Sequence, residues 1–363
     1  MQIKPNKTLQ KEFEKYFGYT RYIFNKALDT WKKEYKAGNK PTSRKVRDIL
    51  KANKEEWESE YSPMVHDTAI ENLDKAYKMF FKKIGRFPRF KSKRKAKKSF
   101  RFQRRNDSTI RIQGNRLYLP RMPYGIKMTE TLRFNGVIKE VTISKRANKY
   151  FASFVIAMED GSLPSRKSTN NYCGIDLGLK TFAIIADNEY FYDEQYPSKL
   201  KALYAKKNYL NKKLSKKNKS SNKFNVMKTK LQKVYLDIYN LQRDYLNKLT
   251  SWIIKKYDII CIETLNIKGM LKLRTLSGKL YNSLFYIFRK MLEHKSKTHG
   301  NKLINADRFF PSTQMCSHCG NVKKSDNKMK LSDRTYYCDK CGTELDRDDN
   351  AAINLRQYGL AVA

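Results

Sequence analysis

Four cysteines and three carboxylates carry the clearest chemistry in this 363-residue chain. Cys316-Ser-His-Cys319 and Cys338-Asp-Lys-Cys341 are separated by eighteen residues, and each pair is followed directly by a glycine, Gly320 or Gly342. In a C-x-x-C turn two thiolates converge on one ion, and the glycine permits the tight return of the chain. Two such knuckles complete a tetrahedral site with no open position, so one structural Zn2+ is expected on Cys316, Cys319, Cys338 and Cys341. His318, between two ligands, is expected to be a bystander. Six cysteines in all, four of them in this cluster, point to a metal in a reducing compartment rather than to disulfides.

The carboxylates are Asp176, in Gly174-Ile-Asp-Leu-Gly178, Glu263, at the end of Ile259-Ile-Cys-Ile-Glu, and Asp348, in Asp346-Arg-Asp-Asp-Asn-Ala-Ala-Ile-Asn-Leu355. A carboxylate that ends an apolar strand needs a partner, because burying it alone is costly. Oxygen ligands suit hard Mg2+ as thiolates suit zinc. Taken as pattern alone, three of 35 acids at strand and helix ends stand equally well for metal ligands and for caps.

The elements that must position these groups follow from periodicity. Residues 7–37 read as a helix, with Thr8 able to cap it and Leu9, Phe13, Tyr16, Ile23, Ala27 and Trp31 at helical spacing. Further helices are expected at about 42–56 and 64–84, divided by Pro63, making a small helical module. Residues 100–158 alternate with period two in short runs, as in a small antiparallel barrel or sandwich. The Ser- and Asn-rich stretch 161–171 reads as a linker.

Three strands follow, at 172–178, 181–186 and 189–192, then two paired helices, at about 197–217 and 222–256. Leu231, Val234, Ile238, Leu241, Tyr245, Leu249 and Trp252 make the core stripe of the second helix. A strand at 258–264, a helix at 282–299, a strand at 302–309 and a final helix complete the chain. The order strand, strand, strand, helix, strand, helix, strand, helix is that of the RNase H fold. In that fold acids on the first strand, the fourth strand and a late helix converge, and can hold two Mg2+ ions about 3.5–4 Å apart.

Composition narrows the partner. The chain has 77 Lys and Arg against 35 Asp and Glu, a net charge of +42. That excess calls for a polyanion, and nucleic acid is the common one. With 40% apolar and 13% aromatic residues, an acidic disordered chain is excluded, and the length suits two or three domains. There is no run of 18 apolar residues to cross a membrane, and the polar start Met1–Pro5 is not expected to be a secretory leader. From Lys78 to Arg105 there are fourteen Lys or Arg and no acid, with Phe80, Phe81, Phe87, Phe90, Phe100 and Phe102 interleaved. Such interleaving suits phosphate neutralisation with base stacking, some rings serving only as anchors. Arg86, Arg89, Lys91, Lys93, Arg94, Lys97 and Lys98 are the nominated nucleic-acid contacts. Another twelve Lys and no acid lie between Lys199 and Lys230, mostly off the helical stripe.

Gly-Ile-Asp-Leu-Gly at 174–178, Ile-Glu-Thr at 262–264, the four-cysteine ribbon and Asp-Arg-Asp-Asp-Asn-Ala-Ala at 346–352 together resemble the insertion-sequence TnpB family. Its members are also known as OrfB-type transposases and are relatives of the type V CRISPR effector nucleases. Gly85-Arg-Phe-Pro-Arg-Phe-Lys-Ser-Lys93 and Arg308-Phe-Phe-Pro-Ser-Thr-Gln-Met-Cys316 are similar to other stretches of that family. The resemblance covers nearly the whole chain.

It implies a multidomain α+β protein: an RNase H-like (RuvC) α/β nuclease core with an inserted zinc ribbon, an N-terminal helical recognition module and a wedge β-barrel. The implied boundaries are a short wedge strand at 1–6, the helical recognition domain at 7–84, and the wedge barrel with its basic lead-in at 85–160. The linker at 161–171 follows, then the first nuclease part at 172–312 with its helical pair at 197–256. The four-cysteine ribbon at 313–344 and the second nuclease part at 345–363 close the chain. The family's wedge begins with a longer strand than Met1–Lys4, so the first strand here is expected to be short or missing.

The resemblance also implies function. Family members bind a guide RNA derived from their own element's end. They cut double-stranded DNA that matches the guide beside a short adjacent motif. By position, the catalytic carboxylates and Mg2+ ligands fall on Asp176, Glu263 and Asp348, with Asp346 and Asp349 as lesser alternatives to Asp348. A Mg2+-dependent endodeoxyribonuclease follows, monomeric, in the cytoplasm and nucleoid of a prokaryote or carried by its mobile element. Two alternatives keep the fold: a DNA transposase that needs no guide, and a non-cleaving RNA-guided repressor. Arg308 could lie near the scissile phosphate or be a solvated surface residue.

Overall fold

The computed structural model describes residues 1–104, 110–133, 135–158, 168–189, 191–266, 284–324, 327–330 and 332–363. Residues 161–167 of the expected linker and 282–283 of the expected late helix lie outside the described residues. The chain divides into two compact units, Met1–Asp160 and Gly161–Ala363, so the break falls at the start of the expected linker.

In the first unit, strand β1 (Gln2–Lys4) runs into helix α1 (Lys7–Lys36). Its cap is Asn6 rather than Thr8: the Asn6 Oδ1 accepts from the Leu9 amide at 2.8 Å, while Thr8 is already inside the first turn. Helix α2 (Ser43–Ala52), a 3-10 turn (Glu56–Glu60) and helix α3 (Pro63–Phe81) complete the helical module. Pro63 occupies the first helical position of α3, where its missing N–H costs nothing. Strands β2 (Ser99–Gln103), β3 (Arg111–Gln113), β4 (Arg116–Tyr118), β5 (Ile126–Met128), β6 (Val137–Arg146) and β7 (Lys149–Ala157) join β1 in one antiparallel sheet.

The order in that sheet is β2-β6-β7-β1-β5-β4-β3. The first strand is therefore present, three residues long and central, with Ile3 opposite both Met128 and Tyr150. Among the described residues no ladder joins the end strands β2 and β3, so the pairing is that of an open sheet. The α1 rings Phe13, Tyr16 and Phe17 pack on Phe100 and Tyr150 of the sheet at centroid distances of 5.1–5.6 Å. Phe100 and Phe102 thus belong to this core, not to the exposed basic segment.

The second unit is built on a five-stranded sheet. Its strands are β8 (Tyr172–Leu177), β9 (Ala183–Ala186), β10 (Phe191–Glu194), β11 (Ile259–Ile262) and β12 (Lys302–Asn305). The order is β10-β9-β8-β11-β12, antiparallel among the first three and parallel across β8, β11 and β12. Helices α4 (Ser198–Ser215) and α5 (Asn222–Lys256) lie between β10 and β11 in sequence, and α6 (Phe285–His299) precedes β12. The first half of α5 packs on α4 through Leu231, Val234 and Ile238, and its second half enters the sheet's core through Leu246, Leu249 and Ile253. A two-stranded ribbon, β13 (Thr335–Tyr337) and β14 (Glu344–Asp346), leads into helix α7 (Arg347–Val362). The carboxylate of Asp258, just before β11, accepts from Ser168, Thr169 and Asn170 at 2.7–2.8 Å, which ties the last linker residues to the sheet.

Helix α7 lies against β8 and β11 because two glycines let it. A Cβ at Gly174 would stand 2.1 Å from the Ala352 carbonyl oxygen and 2.4 Å from the Arg356 nitrogen, and one at Gly359 would stand 2.7 Å from the Cys261 Cβ. No described helix is long and apolar enough to cross a membrane.

Candidate functional site

Parallel pairing brings two of the predicted acids side by side. Ile262 is in register with Ile175, so Glu263 and Asp176 follow at the same end of neighbouring strands. Glu263 Oε1 accepts from the Leu177 amide at 3.1 Å. Thr264 anchors the chain beyond it by donating to the Ala306 carbonyl at 2.7 Å. The third acid arrives on α7, whose close approach to β8 is set by Gly174.

The electrostatics register this proximity. Burial, followed by the charges of Asp348 and Asp346, pushes the half-buried Asp176 up to about 7, against the pull of Arg347. Burial first, and then Asp176 and Asp348, push Glu263 well above the usual carboxylate range, opposed by the Leu177 amide. Asp348 thus acts on both strand acids.

The three alternatives in the last motif separate by what their carboxylates touch. Asp346 Oδ1 is spent as the helix cap, accepting from the Asp348 and Asp349 amides at 2.8 and 3.4 Å. Asp349 is raised to about 6 by burial and by Asp346, Asp193 and Asp348, with neither strand acid among its neighbours of effect. Asp348 is turned toward Arg347, whose Nε and Nη2 donate to its Oδ1 at 3.0 and 2.9 Å, with Arg334 at 3.7 Å from its Oδ2. Consistent with that turn, the three acids do not bring ligand atoms within 4.8 Å of one another; among the described residues only the cysteine cluster does so. Two Mg2+ ions about 4 Å apart, with bonds near 2.1 Å, span oxygens up to roughly 8 Å apart, and three carboxylates are the hard oxygen donors such ions take.

The cysteines do converge. Cys316, Cys319, Cys338 and Cys341 bring their sulfurs within 4.8 Å of one another, with Cys316–Cys341 and Cys319–Cys338 each at 3.6 Å. Zn–S bonds near 2.3 Å in a tetrahedron imply S···S of about 3.8 Å, so the four could bind one zinc ion. Gly320 and Gly342 adopt φ of +72° and +73°, and their amides close each knuckle onto the carbonyls of Cys316 and Cys338 at 2.9 Å. The Thr343 hydroxyl and amide hold the Cys341 thiol down at about 6, which favours the thiolate a metal needs. His318 is exposed and outside the cluster.

Sequence reasoning did not find the residues that join the two centres. On α7, Asn350 accepts from the Ser317 amide at 2.9 Å and donates to the Met315 carbonyl at 2.7 Å. Asn354 donates to the carbonyls of Ser312 and Met315 at 2.7 Å, and Gln357 to that of Ser317 at 2.8 Å. The helix that carries Asp348 is thereby pinned to the first zinc knuckle. The available signal was three amides at i, i+4 and i+7 on a helix otherwise rich in Ala and Leu. Arg347, the clamp on Asp348, was missed as well, although it stands between acids in the motif.

The nominated basic residues divide into two kinds. Arg86, Arg89, Lys93, Arg94 and Lys97 are exposed. Lys91 is packed with its ammonium 3.4 Å from the Phe24 ring centroid, where burial lowers it to about 8, and its backbone is gripped by Asn25 through bonds of 2.8 and 3.0 Å. Lys98 is paired with Glu14 at 2.5 Å. Phe81, Phe87 and Phe90 stay exposed. Arg308 is exposed with its guanidinium 5.4 Å from the Phe309 centroid.

Comparison with known proteins matches three family models along the chain. Residues 153–274 match "Probable transposase" (OrfB_IS605), residues 1–40 match the associated "Helix-turn-helix domain", and residues 285–355 match "Cas12f1-like, TNB domain". In the structure, 1–40 hold β1 and one uninterrupted helix rather than two helices. A "Putative RNA-guided DNA endonuclease" of Streptomyces pristinaespiralis is 29% identical over 97% of this chain and 86% of its own. The "Putative RNA-guided DNA endonuclease InsQ" of Escherichia coli (strain K12) is 28% identical over 99% of this chain and 92% of its own. A solved "Cas12f1-sgRNA-target DNA complex" aligns over 96% of this chain and 95% of that one, at 13% identity and a TM-score of 0.40. The matched models and the relatives aligned over nearly their whole length make the chain similar to the OrfB-type transposases, in agreement with the TnpB resemblance of its motifs.

Proposed function

We propose that this protein is an RNA-guided DNA endonuclease whose catalytic carboxylates are Asp176, Glu263 and Asp348. The observation that carries the proposal is that both strand acids, raised first by burial, are raised further by the charge of Asp348, and Glu263 by that of Asp176, at one end of β8 and β11. The order β10-β9-β8-β11-β12, with only the outer two junctions on the β10 side antiparallel, supports an RNase H-like core for this unit. The relatives' descriptions as RNA-guided DNA endonucleases support the substrate.

Asp176, Glu263 and Asp348 would hold Mg2+, two ions in this reading, which when bound would supply an activated water and charge stabilisation for the leaving oxygen of the phosphodiester. The chain's own part is to hold three negative groups together and aim them. Glu263 is oriented by the Leu177 amide, and Asp348 by its place on the first turn of α7. Sequence recognition is left to base pairing with a guide derived from the element's end, while the protein supplies charge and shape. The exposed cations between Arg86 and Lys97, and those on α4 and α5, serve the backbones. The open seven-stranded sheet as the wedge in place of a barrel, a monomeric state and a cytoplasmic site in a prokaryote belong to the same reading.

The test is to purify the protein with its bound RNA and offer matching duplex DNA with Mg2+. Cutting by the parent and none by Asp176→Ala supports the assignment; equal cutting by both refutes it. If cutting survives removal of the RNA by ribonuclease, the unguided transposase reading replaces the guided one. Occupancy without strand breakage replaces it with a repressor.

A further inference from the structure

We infer that the cleft beside Glu263 seats the single DNA strand next to the scissile phosphate, with the Tyr286 ring as the platform for one base and Lys290 and Arg289 as phosphate partners. The inference deepens the nuclease reading and rests on it. The cleft has a volume of about 340 Å³, and its lining includes Glu263 and Leu265 beside Tyr286, Arg289, Lys290 and Glu293 of α6. That is at the small end of ligand sites, roughly 300–1,000 Å³, and suits about one nucleotide rather than a duplex. A second cleft of about 410 Å³ shares Tyr286 and Lys290 with it and continues along α6 to His294 and Lys295, as a path for a strand rather than for an isolated ligand.

The sequence of α6 explains why Tyr286 is free. Phe285, Phe288 and Leu292 fill the core at 3%, 0% and 0% exposure, whereas Tyr286, one residue off that stripe, is 65% exposed. A large ring left in water at the junction of two clefts suits base stacking, which every base can supply from its face. Arg289 Nε and Lys290 Nζ both donate to the Glu293 carboxylate, at 3.1 and 2.6 Å. Two cations sharing one anion retain charge for another, and a phosphate oxygen is of the same kind. The strand is assigned as DNA because the cleft's wall includes Glu263, so whatever lies in it lies at the acids proposed to cut DNA.

The experiment uses the purified protein with its bound RNA in Ca2+, with a short single-stranded DNA carrying 2-aminopurine. The parent and Tyr286→Phe should quench the fluorophore, and Tyr286→Ala should bind at least about fivefold more weakly with the quench lost. Arg289→Gln with Lys290→Gln should flatten the salt dependence of that binding. Cleavage of matching duplex in Mg2+ should fall for Tyr286→Ala and not for Tyr286→Phe. Parent-like quenching and cutting by Tyr286→Ala would overturn the inference while leaving the nuclease reading intact. Quenching of an RNA oligonucleotide and not of DNA would overturn it too. Tyr286-dependent quenching of DNA by a parent that cuts nothing would uphold the cleft and sink the nuclease.

Discussion

Gly174→Ala tests how finely the fold sets the distance between strand β8 and helix α7. The new methyl carbon would stand 2.1 Å from the Ala352 oxygen and 2.4 Å from the Arg356 nitrogen. Both are backbone atoms, so no side-chain rotation can relieve the overlap. An ordinary C···O contact of about 3.3 Å requires the helix to recede by roughly 1 Å. Asp348 lies one turn before Ala352 on the same helix and must move with it. A displacement of that size at a reacting centre costs on the order of 100-fold in rate. The stability cost of the overpacked contact is about 1–3 kcal/mol, a drop of several degrees in melting temperature. The assay is guided cleavage of matching DNA beside a thermal melt. Gly18→Ala is the control, since a Cβ there meets nothing within 4 Å and the site is inside α1. It should cut like the parent and melt at or slightly above it. If Gly174→Ala cuts within about twofold of the parent while folded, the close approach of β8 and α7 does not set the site.

Three other outcomes follow from the same geometry. In metal-free buffer Asp176 is raised above its unfolded value of 3.8, so the folded state holds an extra proton and stability falls as pH rises from about 4 to about 7. Asp176→Asn should therefore out-melt the parent by a margin that widens across that window, and a margin flat with pH would contradict the elevation. Asn350→Ala leaves the buried Ser317 amide without its acceptor, while the Met315 carbonyl keeps Asn354, and should cost about 1–3 kcal/mol in a denaturation curve. The zinc content of that variant should stay at one per chain, whereas Cys316→Ser should lose the metal. Replacing Arg86, Arg89, Lys93, Arg94 and Lys97 together by Gln should lower the salt slope of nucleic-acid binding by up to about 0.7–0.9 for each phosphate-binding cation removed. Lys98→Gln should instead show as instability, because its partner is Glu14.

What could be read beforehand was whatever is local in the chain. The zinc knuckles are legible because two residues and a glycine suffice to build each one. The element order of the second unit is legible because apolar runs such as Ile259–Ile262 and the stripe of α5 announce their periods. Thr8 and Asn6 can both cap by residue type, Asn the better, and the backbone places Asn6 outside the helix. The first strand reads as short or missing because only Met1–Lys4 precede Pro5; its central place between β5 and β7 is a tertiary fact. Lys91 and Lys98 read as contacts because a charge run does not reveal that Phe24 and Glu14 wait beside two of its members. The Asn350–Ser317 and Asn354–Met315 bonds span 33 and 39 residues and leave no local trace.

These long bonds change how the ribbon is understood. A four-thiolate site has no open position for substrate, which by itself would set a structural metal apart from catalysis. Yet Asn350 and Asn354 hold the Met315 carbonyl and Asn350 the Ser317 amide, on both sides of Cys316, and Asp348 is only two residues before Asn350. On its other face the same helix touches β8 through Gly174. Asp348 is thus fixed from two directions, by the knuckle and by the strand that carries Asp176. Burial and like charge both oppose gathering these acids in ionised form, and both raise Asp176 and Glu263. A fold that holds them together must therefore be stiff where the helix begins. The two clamps supply that stiffness, while Arg347 answers part of the local negative charge until a divalent ion can do so.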